Sequence, residues 1–172
     1  MIKTLSPREL EAALPTLVEL LQECINLGGA LGFHAPLAAR DALDYWQSVR
    51  RELESGSRVM LAAYEQGQIV GSGQLALAPW VNARHRATIE KVFVGAALRG
   101  RGIAKALIGG LEDAARLRGR SLLLIAARRG EAAEQLYKRL GYREVGVIPG
   151  YARGPKGESY DSVSMYRELP LS

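Results

Sequence analysis

The segment Arg99-Gly100-Arg101-Gly102-Ile103-Ala104, followed by Lys105, joins basic side chains to a glycine-rich entry into a helix. An apolar run over residues 87–94 precedes it, and Ile103, Leu107, Leu111 and Ala114 recur after it at helical spacing. Glycines at 100 and 102 let the backbone bend toward a ligand. The first helical turn adds N–H groups without carbonyl partners and the positive end of the helix dipole. Phosphate is the guest this chemistry suits best, and a helix entry without a ligand is the alternative. A Walker loop would need a Gly-Lys-Ser/Thr ending, and a dinucleotide fingerprint would need three spaced glycines with an acidic residue about 20 positions later. Neither pattern occurs here.

The elements that must hold this loop follow an α/β order. A short strand at residues 2–5 leads to a helix over 7–26, interrupted or kinked near Pro15 and ended by Gly28-Gly29. Residues 28–36 form a flexible loop with exposed apolar and ring side chains. A second helix presents Ala42, Trp46, Val49 and Leu53 on one face and stops at Gly56. Strands over 58–64 and 69–78 meet at Glu65-Gln66-Gly67-Gln68 as an antiparallel hairpin, and 87–94 is the third strand of that meander. The loop helix extends to about Arg118 and contains Gly109-Gly110, where each glycine costs about 1 kcal/mol relative to alanine; close packing on the sheet would account for them. A buried strand over 121–126, a helix over 132–140, and strands over 142–147 and 160–169 complete the order.

Composition narrows the function classes. The 172 residues are 48% hydrophobic and 24% charged, as expected of one globular domain spanning residues 1–172. No apolar stretch approaches the roughly 18 residues needed to cross a bilayer, and the first five residues lack a signal-peptide pattern, so no membrane association and a cytoplasmic location are expected. Cys24 is the only cysteine, which excludes an internal disulfide or a cysteine-based zinc site; no metal is expected, and Cys24 is read as a small hydrophobe on the first helix. The net charge of +5 would suit nucleic acid, a membrane surface or an anionic cofactor. Only 6% of residues are aromatic and no nucleic-acid module signature occurs, so nucleic acid is not an expected partner. Arg99, Arg101 and Lys105 instead crowd the phosphate loop.

The loop matches Arg/Gln-x-x-Gly-x-Gly/Ala, with Arg99, Gly102 and Ala104 at the defined positions. Downstream, Glu134-Gln135-Leu136-Tyr137-Lys138-Arg139-Leu140-Gly141-Tyr142 resembles Leu-Tyr-x-x-x-Gly-Phe/Tyr. With the strand before the loop and the helix after it, the chain resembles the GNAT superfamily of acetyl-CoA-dependent N-acetyltransferases along essentially its full length. The resemblance implies the GNAT fold, an α/β (α+β) architecture. Its mixed, mostly antiparallel central sheet of about seven strands carries about four helices and a splayed central strand pair. It also implies acetyl-CoA as cosubstrate. Backbone groups of Val92, Phe93 and Val94 would pair with the pantetheine arm, and Arg99, Gly100, Arg101, Gly102, Ile103, Ala104 and Lys105 would hold the phosphates.

Acetyl transfer to an amine poses two proton problems, because the amine is protonated at neutral pH and the departing thiolate needs a proton. Tyr137, which matches the family's tyrosine, has a phenol suited to the second task; a core tyrosine with a satisfied hydroxyl is the other reading. Glu90, acidic within an apolar strand, is the candidate base for the first. Its alternatives are a place on the solvent face or a salt bridge with Lys91 or Arg86, and His85 and His34 are the other titratable options.

A narrower resemblance, to the tabtoxin-resistance acetyltransferase branch, rests on several segments. These are Gly28-Gly29-Ala30 with Gly32-Phe33, Gln74-Leu75-Ala76-Leu77, Asn82 with Arg86-Ala87, and Pro149-Gly150-Tyr151 followed by Pro155-Lys156-Gly157. It implies a small amino-acid-like amine, an antibiotic or toxin, as acceptor, with Leu31, Phe33, His34, Gln74 and a turn at Tyr151 as pocket walls. The chain departs from the branch at Ala126-Ala127-Arg128-Arg129, where an acidic residue is expected, and from many members of the superfamily at Gly130, where they carry asparagine. A peptide or protein N-terminus as acceptor, and a non-catalytic acetyl-CoA-binding regulatory module, are the other functions considered. Homodimers are frequent in the superfamily, so a second copy is a further expected partner.

Overall fold

In β2 (Arg58–Glu65), Val59, Leu61 and Ala63 join one buried core and Met60 and Ala62 another, so this strand separates two hydrophobic layers. The computed structural model describes residues 1–170. Its seven-stranded sheet adds β1 (Ile2–Thr4), β3 (Gln68–Leu77), β4 (Arg86–Val94), β5 (Leu122–Arg128), β6 (Arg143–Arg153) and β7 (Ser159–Glu168), in the spatial order β1-β2-β3-β4-β5-β7-β6. All neighbours are antiparallel except β4 and β5.

One face is covered by α1 (Pro7–Asn26) and α2 (Ala39–Glu54), which meet through Leu17, Leu21 and the fully buried Trp46. Ser6 and Glu9 form a reciprocal capping box at the start of α1, with Pro7 in the first turn. The helix expected to be interrupted or kinked near Pro15 is continuous through it. Leu10, Leu17 and Leu21 are buried on both sides of the proline, and Trp46 Nε1 donates to the Leu17 carbonyl at 3.0 Å, so packing outweighs the missing backbone bond.

The other face carries α3 (Ile103–Arg116), lying across β1 to β4, and α4 (Ala132–Arg139), lying on β5. Gly109-Gly110 does not mark a close approach to the sheet. A Cβ on Gly109 would have nothing within 4 Å, and one on Gly110 would make ordinary contacts at 3.4 Å and 3.5 Å with Ile2 and Leu61. The β2–β3 hairpin turns at Gln66 and Gly67, whose positive φ values of 49° and 80° match the favoured two-residue turn. Strand β6 runs past the expected boundary. Pro149, Gly150 and Tyr151 lie within it at a register irregularity rather than in a turn, and the Gly150 N–H is taken by Asp161 Oδ1 at 2.9 Å.

Two departures from regular pairing prepare a site. The parallel partners Arg86–Thr88 and Leu122–Leu124 are the only ones joining β4 to β5, after which each strand stays with its outer neighbour and a wedge opens between them. Inside β4, Ser72 pairs with Phe93 and Gln74 with Glu90, so Lys91 and Val92 together face Gly73. This is a β-bulge, and Lys91 takes φ 52°.

Candidate active site

The end of β4 delivers the chain to the glycine-rich loop at the open mouth of the wedge. After a short turn over Ala96–Leu98, Gly100 and Gly102 adopt φ 78° and 81°, and Gly102 caps α3 without any side-chain bond. The first bond into the helix runs from the Ala106 N–H to the Gly102 carbonyl, at 3.0 Å. The N–H groups of Ile103, Ala104 and Lys105 precede it and lie outside the intrahelical ladder, which leaves an anion cradle. A Cβ on either glycine would meet nothing within 4 Å, so glycine is needed there for its backbone conformation and not for space.

The three basic side chains expected as counter-charge are not equally free. Arg99 turns back, its Nε donating to the Val94 carbonyl at 3.3 Å and a terminal nitrogen reaching Cys24 Sγ at 3.9 Å. Cys24 is buried as expected, and burial raises its thiol pKa. Arg101 pairs with Glu65 of the β2–β3 turn at 2.8 Å, and Lys105 is exposed. The Arg101 pair is open to solvent, so an incoming phosphate can compete for it at little cost.

Val92 and Val94 pack toward the α3 side and Phe93 toward α1 and α2, its ring 6.3 Å from Trp46. Their side chains are therefore occupied in the two cores. Beyond Thr88, the β4 backbone edge toward β5 has no strand partner.

Tyr137 stands on α4, after the other strand of the wedge, and is 7% exposed. Its ring packs 6.2 Å from that of Tyr142, but the two hydroxyls differ. Tyr142 donates to Glu112 Oε1 at 3.0 Å, while the Tyr137 hydroxyl has no hydrogen-bond partner among the described residues. Burial pushes the Tyr137 phenol up to about 12, which keeps it protonated at neutral pH.

The α1–α2 face of β4 gathers a polar cluster. The fully buried Gln74 donates through Nε2 to the Tyr45 hydroxyl at 2.8 Å and accepts from Arg58 at 2.9 Å. Arg58 also pairs with Glu90 at 2.9 Å and Glu52 at 2.7 Å. The expected partners of Glu90, Lys91 or Arg86, are thus replaced by Arg58. The start of β2 lies within reach because Gln74 and Glu90 are directly opposed across β3 and β4. Lys91 Nζ donates to the Leu31 carbonyl at 2.5 Å and lies 5.6 Å from the Phe33 ring and 5.8 Å from the Tyr45 ring. Four expected residues, Leu31, Phe33, Gln74 and Glu90, come together here.

His34 and Tyr151 are placed differently. The His34 ring is bonded to the Arg153 carbonyl of β6 at 2.9 Å, and Tyr151 is 65% exposed on that strand. His85 is at the closed end of the wedge, its carbonyl accepting from Ser121 and Leu122. Arg58, Tyr45, Glu52 and Lys91 were absent from the sequence-based site. Two adjacent charges, Glu90 and Lys91, inside an apolar strand were the available sign of a bulge. At the departures, Arg128 pairs with Glu131 at 3.0 Å and lies 3.9 Å over the Tyr160 ring. Gly130 has φ 83°, a conformation asparagine also tolerates.

Comparison with known proteins bears on this geometry. The pattern of the Acetyltransferase (GNAT) family matches residues 16–142, leaving β6 and β7 outside the match. An uncharacterized N-acetyltransferase of Methanocaldococcus jannaschii is 38% identical over 74 residues, 42% of this chain but only 33% of that relative's length. A ribosomal-protein-alanine N-acetyltransferase from Brucella melitensis superposes with TM-score 0.82 at 24% identity, covering 98% of this chain and 99% of that one. A Salmonella typhimurium structure containing acetyl-CoA as its cofactor superposes with TM-score 0.78 at 18% identity, over 100% and 95% of the two chains. One assigned as a phosphinothricin N-acetyltransferase has TM-score 0.78 at 22% identity, over 99% and 98%. These structures share the mixed sheet and its helices, and the family pattern, which spans more than half of the chain, places it in the GNAT family of N-acetyltransferases, enzymes that use acetyl-CoA.

Proposed function

We propose that this protein transfers the acetyl group of acetyl-CoA directly to the free amine of a small, amino-acid-like molecule. The observation that carries the reading is the pairing of an open strand wedge, with N–H groups outside the helical ladder at its mouth, and a tyrosine whose ring is buried while its hydroxyl has no partner among the described residues. Acetyl-CoA supplies the activated acyl group. The unpaired β4 edge near Val92, Phe93 and Val94 orients the pantetheine arm, and the loop from Arg99 to Lys105 takes the pyrophosphate. Tyr137 holds its proton through the working pH range and gives it to the departing sulfur. Glu90, half exposed and held by Arg58, takes the proton of the acceptor's ammonium group directly or through water.

The acceptor enters on the α1–α2 face, beneath Leu31 and Phe33 and beside Gln74. This cluster is small and partly roofed by the loop after α1, which suits a compact amine such as an amino-acid antibiotic or toxin. His34 and Tyr151 form the outer rim at most. Thiol release from acetyl-CoA across amino acids, amine antibiotics and short peptides, alongside calorimetric titration of CoA, tests the assignment. Turnover with the small amines supports it. Preference for peptides moves the acceptor to a protein N-terminus, and CoA binding without any turnover turns the chain into a regulatory module.

A further inference from the structure

We propose that Lys91 reads an anionic group on the acceptor, taking the carboxylate of a zwitterion whose amine is presented to Glu90. The inference rests on the small-amine reading above and adds the residue that would select among such amines. Successive strand residues ordinarily project to opposite faces. The bulge breaks that alternation, so Glu90 and Lys91 both meet residues of the α1–α2 side: Glu90 through Arg58, and Lys91 through Phe33 and Tyr45. Lys91 holds φ 52°, which is unfavourable for an L residue and is imposed here by the bulge.

The two cations of the cluster are treated differently. Arg58 contacts both carboxylates, Glu52 and Glu90, as well as the Gln74 oxygen. Lys91 contacts neither and makes no ion pair among the described residues. Its three N–H donors have one hydrogen-bond acceptor, the Leu31 carbonyl, and two aromatic rings at longer range. The charges cancel in number but not in contact. A partly buried ammonium without a carboxylate is costly, and an acceptor carboxylate supplies the missing partner. A purely cationic amine approaching Glu90 would instead meet an uncompensated neighbour. The loop lies directly on the ammonium, since a Cβ on Gly32 would stand 3.2 Å from Nζ.

The test compares standard α-amino acids with their carboxamides and the corresponding decarboxylated amines, using the full-length wild type, Lys91→Met and Lys91→Arg. The wild type should favour the best acid over its amide at least tenfold in kcat/KM. Lys91→Met should collapse that ratio toward one, mainly through the KM of the acid, and Lys91→Arg should retain most of it. A brace for the loop would lower acid and amide together, so an unchanged ratio in a folded Lys91→Met protein overturns the proposal. So does a wild type indifferent to the carboxylate. If none of these amines is acetylated while CoA binds, the small-amine reading fails with it.

Discussion

Replacing Tyr137 by phenylalanine separates a chemical role from a packing role, because the neighbouring Tyr142 provides a matched comparison. The Tyr137 hydroxyl has no partner among the described residues, so its removal breaks no hydrogen bond there and should leave stability within about 0.5 kcal/mol of wild type, or slightly above it. The Tyr142 hydroxyl donates to the Glu112 carboxylate at 3.0 Å, and Arg167 holds the same oxygen at 2.8 Å. Losing a bond to a charged group costs about 1.5–3 kcal/mol. For a chain of this size that corresponds to a fall of roughly 3–12 °C in Tm. Catalysis should behave in the opposite way. A positioned proton donor contributes about 10²- to 10⁴-fold, so Tyr137→Phe should lower kcat by at least about 10²-fold, while Tyr142→Phe stays near wild type. Thiol release measures the rates, calorimetry the CoA affinity, and thermal melts the stability. A fully active Tyr137→Phe enzyme would refute the acid assignment. Equal destabilisation of the two variants would refute the account of their hydroxyls.

Three further outcomes can be checked with the same proteins and three more variants. Gly102→Glu puts a carboxylate into the N–H cradle at a position with φ 81°, and should weaken CoA at least about tenfold by calorimetry, beyond the effect of Gly102→Ala; equal affinities would remove the phosphate assignment. Gly109→Ala fills open space on a helical backbone and should stabilise the fold by about 1 kcal/mol in urea unfolding, with a loss counting against the packing described. The native Tyr137 phenol, pushed up from 10.0 to about 12, binds its proton more tightly than in the unfolded chain. Its stabilisation is therefore present below about pH 10 and lost as pH rises through about 12, up to about 2–3 kcal/mol in all. Tyr45 and Tyr142 are raised as well, so wild type should lose more stability than Tyr137→Phe over that window without the variant becoming flat. Identical slopes would contradict the burial of the phenol.

Local patterns carried most of the fold. The leucine stripe of α1, the turn at Gln66-Gly67 and the glycine loop before α3 each depend on neighbours within a few positions, and each is where periodicity and turn chemistry put it. The acceptor side depends on register instead. Arg58 reaches Glu90 only because β3 aligns Gln74 between them, and no pattern within β2 reports that alignment. The same holds for His34, whose partner Arg153 lies on the far strand β6, and for Lys91, whose direction follows from one extra residue in β4. The long β6 was cut short because Pro149-Gly150 has turn composition; a bulge accommodates both residues within the strand.

The limited contact between β4 and β5 makes the central sheet a jointed structure. Three paired positions connect the block β1 to β4 with the block β5, β7 and β6, and below that joint the facing backbone edges wait for a partner. A cofactor lodged there, as proposed above, would act as a surrogate strand, closing the seam as well as donating its acyl group. Ligand present at about 100 times its Kd adds about 2.7 kcal/mol to the folded state, a large share of the 5–15 kcal/mol typical of a domain. With the cofactor bound there as proposed, the lifetime of the protein would be tied to the supply of CoA and its thioesters: depletion of that pool would loosen the joint and expose the chain to proteolysis before any loss of catalytic residues.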